Sequence, residues 1–315
     1  MTIDTPFFSL HRLCDGVYAS IAKPGQGAWS NAGIVDLGEE LLVFDSHSTP
    51  SAGIKLRRQA EEMTGKTVKY LANSHYHGDH VFGNQAFQNA TIISTPLTRE
   101  LSEEHNKIGD LEQEDLDMQQ YLLALKNQIP RTKESIRKES LLNQYHEMTN
   151  VYEDLRSLKQ TLATVLFDKK LVIRGSERIV ELHCLGGGHT PSDTFMYLPQ
   201  DGIVFMGDLL TEKLHVPIHN PEAFLSILKE VRTMPVHTLV PGHGNVGGMG
   251  MIDDLADYLL MIMQSVQGAQ RRNQSLDELI AEFIAPDIYK EWKGVKGIDA
   301  NLSSVYDFLS KEENT

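Results

Sequence analysis

Asn73-Ser74-His75-Tyr76-His77-Gly78-Asp79-His80 places three histidines and one aspartate within six positions. Residues two apart point the same way along an extended segment, so His75 and His77 can converge on one ion. The Gly-Asp-His turn that follows swings Asp79 and His80 toward a neighbouring position. The preceding Thr67-Val68-Lys69-Tyr70-Leu71-Ala72 is rich in β-branched and apolar residues and reads as a strand, while Val81 to Phe87 reads as the start of a short helix. The run therefore lies on a loop where a strand ends. Neither a solvated face nor core packing demands such a concentration of ligand groups.

Three further segments repeat one design of strand, glycine turn and ligand. Arg178-Ile179-Val180-Glu181-Leu182-His183 leads to Gly186-Gly187-Gly188-His189-Thr190; Ile203-Val204-Phe205-Met206 leads to Gly207-Asp208; His237-Thr238-Leu239-Val240 leads to Pro241-Gly242-His243-Gly244. Singly, such pairs are ordinary turn chemistry. Four of them in one chain supply a full set of metal ligands.

The series His75-x-His77-x-Asp79-His80, Gly188-His189-Thr190, Gly207-Asp208 and Gly242-His243-Gly244, in this order, resembles the metallo-β-lactamase-fold hydrolase superfamily. The resemblance covers roughly residues 10 to 95 and 166 to 250, with Asn31 and Asp45 also at places where the superfamily often has an Asn and a supporting Asp. It implies an α/β (α+β) fold, a four-layer αββα sandwich with the site along one edge of two facing mixed sheets. It also implies two divalent ions: one on His75, His77 and His189, the other on Asp79, His80 and His243, with Asp208 bridging both. Zinc is the expected metal, and manganese and iron suit the same ligands.

Composition fits such an enzyme. The chain has 315 residues, 41% hydrophobic and 23% charged, enough to bury a large core. A formal charge of −14 disfavours a nucleic-acid surface, which needs clustered Lys and Arg. The start, Met1-Thr2-Ile3-Asp4-Thr5-Pro6-Phe7-Phe8, lacks a basic segment followed by an apolar one, and no long apolar run appears elsewhere. A cytoplasmic protein acting on a small molecule, away from membranes and nucleic acids, is expected. Cys14 and Cys184 are expected to be free thiols, Cys184 in a packing role.

Four regions are expected: 1–96 and 166–250 as the two halves of the sandwich, 97–165 as a helical insertion, and 251–315 as helices packed on the domain. Strands are read at Val17–Ala22, Ala32–Leu37, Leu41–Asp45 and Tyr70–Asn73, with helices after Thr49-Pro50 and around Pro221–Val231. In the insertion, Leu141, Tyr145, Met148, Tyr152, Leu155, Leu158, Leu162 and Val165 recur at steps of three or four and predict one long amphipathic helix. A second helix around Glu114–Gln128 is expected to run back against it. This hairpin carries 13 acidic and 9 basic residues, and a dimer element, a lid or plain packing on its own domain are its candidate roles. His105 and His146 lack ligand spacing and read as surface residues. The tail predicts helices bearing Leu255, Tyr258, Leu259 and Ile262, then Leu276, Leu279, Ile280 and Phe283, and a last one from about Asn301.

The ligand set implies hydrolysis, in which a metal-bridging hydroxide attacks a small ester, thioester, lactone or related carbonyl and Asp79 orients or relays its proton. Asp45 and Asp193 are candidates for fixing ligand histidines, with a turn role as the other reading of Asp193. Trp29, Asn31, Lys213, His215 and His219 fall on loops beside ligand segments and are candidate substrate contacts. The carboxylate at Asp208 stands where the best-known binuclear β-lactamases place a Cys, and so resembles the glyoxalase II, lactonase and phosphodiesterase branches more. Leu209-Leu210-Thr211-Glu212 follows in place of the Tyr usual in acyl-homoserine lactonases, and Ser192 replaces a common glycine. A β-lactam hydrolase or phosphodiesterase, an iron-dependent dioxygenase of the persulfide type, and an interaction protein with an inert metal site are the alternatives.

Overall fold

The sequence alternates strands and helices in two series, and the computed structural model, which describes residues 2–312, folds each series into one sheet. The first half contributes β1 (Thr2–Asp4), β2 (Phe8–Cys14), β3 (Val17–Ala22), β4 (Ala32–Asp36), β5 (Leu41–Phe44), α1 (Pro50–Thr64), β6 (Val68–Ala72), the single turn α2 (Gly78–Val81) and β7 (Thr91–Ser94). α3 (Pro96–His105), α4 (Leu111–Gln128) and α5 (Ser135–Asp154) follow, and then β8 (Val165–Leu166) returns to the same sheet beside β7. The strands lie in sequence order; β1 to β5 pair antiparallel and β5 to β8 parallel.

The second half adds β9 (Lys170–Arg174), β10 (Ile179–Cys184), β11 (Thr194–Leu198), β12 (Ile203–Phe205), α6 (Pro221–Thr233) and β13 (Thr238–Val240). They form a sheet ordered β13-β12-β11-β10-β9, antiparallel except for β12–β13. α7 (Gly250–Arg271), α8 (Leu276–Glu282) and α9 (Gly297–Glu312) complete the chain.

Period-two burial sorts the layers. Along β5, Leu42 and Phe44 face the space between the sheets with Val180, Leu182, Met196 and Phe205, whereas Leu41 and Val43 face outward onto Ala52, Leu56 and Ala60 of α1. On the far side Val204 and Leu239 meet Phe224 and Ile227 of α6, Leu255 and Tyr258 of α7, and Leu302 and Val305 of α9. The result is helix, sheet, sheet, helix, the expected four-layer sandwich. α1 starts on Thr49, whose side chain accepts from the Ala52 amide, with Pro50 in the first turn, and ends at Gly65 in the left-handed region. Cys184 packs in the inter-sheet core, and both cysteines are free. Among the described residues no helix is long and apolar enough to cross a membrane.

The insertion departs from expectation. The predicted long helix stops at Asp154; a 3-10 turn covers Leu155–Ser157, and Val165 belongs to a strand. Its apolar spacing runs on past the helix because Leu158 packs inward from a loop, not from a helical face. The short β1, β2 and β7 and the helix α3 are additions to the predicted elements, and α9 begins four residues before the expected start at Asn301. α5 lies on its own domain: the Asp154 carboxylate accepts from the Ser51 amide and hydroxyl (2.8 and 2.9 Å), and Ser140 Oγ accepts from the Gly294 amide (3.0 Å). α4 packs on α5 through Leu125 and leaves Leu116 and Leu123 exposed.

Candidate metal centre

Every candidate ligand leaves the carboxyl end of a strand or the turn after it. Asp45 follows β5, His75 to His80 follow β6, His189 follows β10, Asp208 follows β12 and His243 follows β13. Carboxyl ends of parallel strands are where open α/β sheets gather ligand groups. Close packing dictates the glycines: a Cβ on Gly242 would collide with Asp208 Oδ1, and one on Gly207 would lie 2.5 Å from Ser74 Cβ.

The ligand atoms form two groups. His75 Nε2 lies 3.0 Å from His77 Nδ1, which lies 3.1 Å from His189 Nε2, and Asp208 Oδ2 is 3.4 Å from His189 Nε2. On the other side Asp79 Oδ2 is 3.2 Å from His243 Nε2 and 3.6 Å from His80 Nε2; Asp208 Oδ1 is 3.2 Å from His80 Nε2 and 3.3 Å from His243 Nε2. The two oxygens of Asp208 thus face different groups. A divalent cation fits this donor set. The His77 ring nitrogen lies within hydrogen-bond distance of both His75 Nε2 and His189 Nε2, with Asp208 Oδ2 beside the latter, and His80 Nε2 and Asp208 Oδ1 are buried without a hydrogen-bond partner despite their 3.2 Å approach.

The outer ring nitrogens of His75, His80, His189 and His243 are anchored. Ser74 Oγ accepts from His75 Nδ1 (2.9 Å) and donates to Asp45 Oδ2 (2.7 Å); Asp45 Oδ2 accepts from His80 Nδ1 (2.8 Å). Backbone carbonyls do the rest: Pro217 O takes His189 Nδ1 at 2.9 Å and Trp29 O takes His243 Nδ1 at 3.1 Å. Each bond leaves Nε2 of its ring directed into the centre. Ser74, Pro217 and the Trp29 carbonyl were not among the expected residues. Ser74 stands inside the opening run, but a backbone carbonyl has no sequence signature.

Electrostatics separates the groups. Burial lowers the first triad: His75 falls well below the ordinary histidine value, helped by the charges of His80 and His77; His77 falls to about 4; and His189 falls although Asp208 and Pro217 oppose it. In the second group burial works the same way on His80 and His243 but loses to carboxylates. Asp208, Asp79 and Asp45 hold His80 well above its usual value, and Asp208 and Asp79 hold His243 up at about 10. Burial raises Asp79 and Asp208, yet His80 and His243 outweigh it, leaving Asp79 at about 2 and Asp208 well below the carboxylate range.

Three nearby backbones lie in the left-handed region without being glycine: Trp29 (φ 57°), Asp45 (φ 59°) and His47 (φ 68°). Such conformations cost on the order of 1–3 kcal/mol each and cluster at functional sites. Surrounding bonds hold them, as where His47 binds Ser30 O through Nδ1 (2.8 Å) and Ser20 Oγ through Nε2 (3.0 Å).

Three expected roles need correction. Asp193 does not touch a ligand ring; its carboxylate collects the amides of Gly188, His189 and Thr190 and the Thr190 hydroxyl, so it shapes the loop, and burial pushes it up to about 6. Asn31 is buried and its amide joins Ala22 N to the carbonyls of Pro241 and Gly244, leaving no group for substrate. His215 turns to Tyr258 Oη (2.8 Å) and Trp292 beneath the C-terminal helices, where burial lowers it to about 4. Of the rest, Trp29 is half-buried next to His243. His219 is exposed with its amide on Gly188 O, and Lys213 is exposed beyond Thr211, which bridges to His243. His105 and His146 are exposed.

The metallo-beta-lactamase superfamily model matches residues 29–243, a span that opens on Trp29 and closes on the His243 it anchors. A metallo-beta-lactamase from Pontibacter korlensis has the same fold, with a TM-score of 0.58 and 17% identity over 80% of this chain and 99% of that one. With a family match over more than half its length and two His/Asp groups at the strand ends that it spans, this chain belongs to the metallo-β-lactamase superfamily.

Proposed function

We propose that the protein is a metal-dependent hydrolase of a small ester, thioester, lactone or related carbonyl compound, working with two divalent ions, zinc first among them. The observation that carries this reading is the split carboxylate of Asp208, with Oδ2 toward His189 and Oδ1 toward His80 and His243. His75, His77 and His189 would hold one ion and Asp79, His80 and His243 the other. Ions bound there supply a nucleophilic hydroxide at neutral pH and a Lewis acid for the developing oxyanion.

The chain's own groups divide the remaining work. His75, His77 and His189 are kept neutral by burial, so their lone pairs are free without a competing proton. The Asp79 side chain is 20% exposed and that of His243 15%, against 0–1% for His80 and His189, and His77 is half-buried, so the centre meets solvent at Asp79, His243 and His77. A carboxylate at that opening is placed to orient a water and relay its proton, while its Oδ2 still faces His243. Ser30 Oγ donates to Asp79 O at 2.6 Å and fixes the main chain from which the carboxylate projects. Trp29 and His219 stand at the rim beside His243 and His189 and are the substrate contacts proposed.

A panel of esters, thioesters, lactones, β-lactams and bis-p-nitrophenyl phosphate, assayed with metal per chain quantified, tests the reading. Chelator-sensitive turnover of a carbonyl substrate is expected. Its absence across the panel with both ions bound would sink the proposal, and oxygen consumption on a persulfide with one iron per chain would replace it by oxidation.

A further inference from the structure

Glu147 is fully buried, at 0% exposure, on a helix outside the sandwich, and nothing in the ligand set accounts for it. Its Oε1 accepts from the Gly25 amide at 2.7 Å and its Oε2 from the Gly27 amide at 2.8 Å. Both glycines have positive φ (71° and 86°), and a Cβ on either would sit 2.9 Å from the Cβ of His146 or Asn150, so the loop lies flat on this turn of α5. Asn150 Nδ2 adds a bond to Gly25 O (3.1 Å), and Thr49 Oγ1 holds Gly27 O from below (2.8 Å).

The other end of that loop is at the metal centre. Trp29 O accepts from His243 Nδ1, and Ser30 Oγ donates to Asp79 O. The ring of His243 and the backbone of Asp79 are therefore tied to a loop whose other end is held by the Glu147 carboxylate, with Asn150 and Thr49 beside it. Burial pushes Glu147 up to about 7 against the amides of Gly27, Gly25 and Gln26, and the charge of Asp79 adds to the rise, which puts the two within electrostatic reach.

We propose that Glu147 is a positioning residue for the second metal position: it locks the Gly25–Ser30 loop, and the loop fixes the ring of His243 and the backbone of Asp79. A carboxylate suits this place because both amides need an acceptor. Glu147→Gln would turn an NH2 group toward one of them and leave that amide unmatched. The inference rests on the two-ion reading above.

Competition titration of zinc against a chromophoric chelator, on full-length protein, separates the two ions. The wild type is expected to bind two. Glu147→Gln should loosen the weaker ion by about 10–100-fold, as loss of an outer partner of a metal ligand does, and leave the tighter one within about twofold. Asp154→Asn, which weakens the same helix at its other anchor on Ser51, should lower Tm without changing either affinity. If Glu147→Gln does not fold, Asn150→Ala carries the same test with a smaller loosening in the same direction. Unchanged affinities in the Glu147 or Asn150 variant would overturn the inference alone. Equal loosening in Asp154→Asn would also overturn it, reducing Glu147 to general docking. A wild type that binds a single ion would overturn the two-ion reading and the inference with it.

Discussion

The two ligand groups share Asp208 and little else. His75, His77 and His189 are three imidazoles kept neutral by burial, the first on Ser74 and the last on Pro217 O. Asp79, His80 and His243 form a mixed set of opposite charges, partly open to solvent, supported by Asp45 and by the Trp29 loop under α5. A neutral triad offers lone pairs at once. The charged set stabilises itself in the absence of a cation, so a cation has to displace protons there. On the proposed two-ion reading, the first group would be the standing site and the second the exchangeable one.

The largest expected effect comes from removing what the groups share. Asp208→Ala should bring metal content below two per chain and reduce turnover to that of chelated wild type, because it deletes a donor of both groups and leaves His80 and His243 without their main counter-charge. Full metal content in this variant, measured by elemental analysis, would break the comparison at its root. Asp79→Asn comes next. It keeps the shape but lacks a proton acceptor, so kcat should fall about 10²–10⁴-fold, out of proportion to any fall in Tm. Full activity with full metal would remove Asp79 from the chemistry.

The division of the ligands into two groups followed in the sequence from the family resemblance, carried by local patterns. Ligand side chains at strand ends beside glycines are local patterns, and four of them in order also implied the sandwich that brings them together. The supports are of two less visible kinds. Trp29 O and Pro217 O are main-chain groups that any residue could provide. Glu147 reads as one more solvated acid in a charge-rich helix, and only the approach of Gly25 and Gly27 from 120 or more residues away makes it a buried anchor. The end of α5 at Asp154 was hidden for a related reason. Leu158, Leu162 and Val165 keep helical spacing, but the chain there has left the helix to reach β8. Asp45 and Asp193 were both legible as candidate supports, Asp193 also as a turn residue; that Asp45 reaches a ring and Asp193 shapes the loop is decided by tertiary packing.

Asp45→Asn sharpens the difference at intermediate size. Its carboxylate accepts from His80 Nδ1, Ser74 Oγ and Ser74 N, so the direct loss falls on the second group and only a relayed one, through Ser74, on His75. About 10–100-fold weaker binding of the more exchangeable ion is expected, with a smaller effect on the other. Equal weakening of both would mean that Ser74 transmits as much as the direct bond does. Ser74→Ala should reverse the pattern and touch chiefly the ion on His75.

The smallest effect is one of pH on the demetallated protein, and its sign follows from the second group. His243 has its folded pKa raised from 6.5 to about 10, so the stability it contributes is complete below 6.5 and is lost as pH rises through about 10. Asp79 is lowered from 3.8 to about 2, so its share is present above 3.8 and is lost as pH falls through about 2. Glu147, raised from 4.5 to about 7, adds to the decline between those values. Chelated protein should therefore be most stable at mildly acidic pH and lose Tm steadily from pH 6.5 to 9. Bound cations replace the protons on His80 and His243, so the loaded protein escapes the decline that His243 causes, and the Tm gap between loaded and chelated forms should widen across that range. Calorimetry at pH 6, 7.5 and 9 with and without chelator reads it directly. A gap that stays constant would mean that His243 carries no extra proton in the empty centre, and the contrast between a standing and an exchangeable site would lose its electrostatic basis.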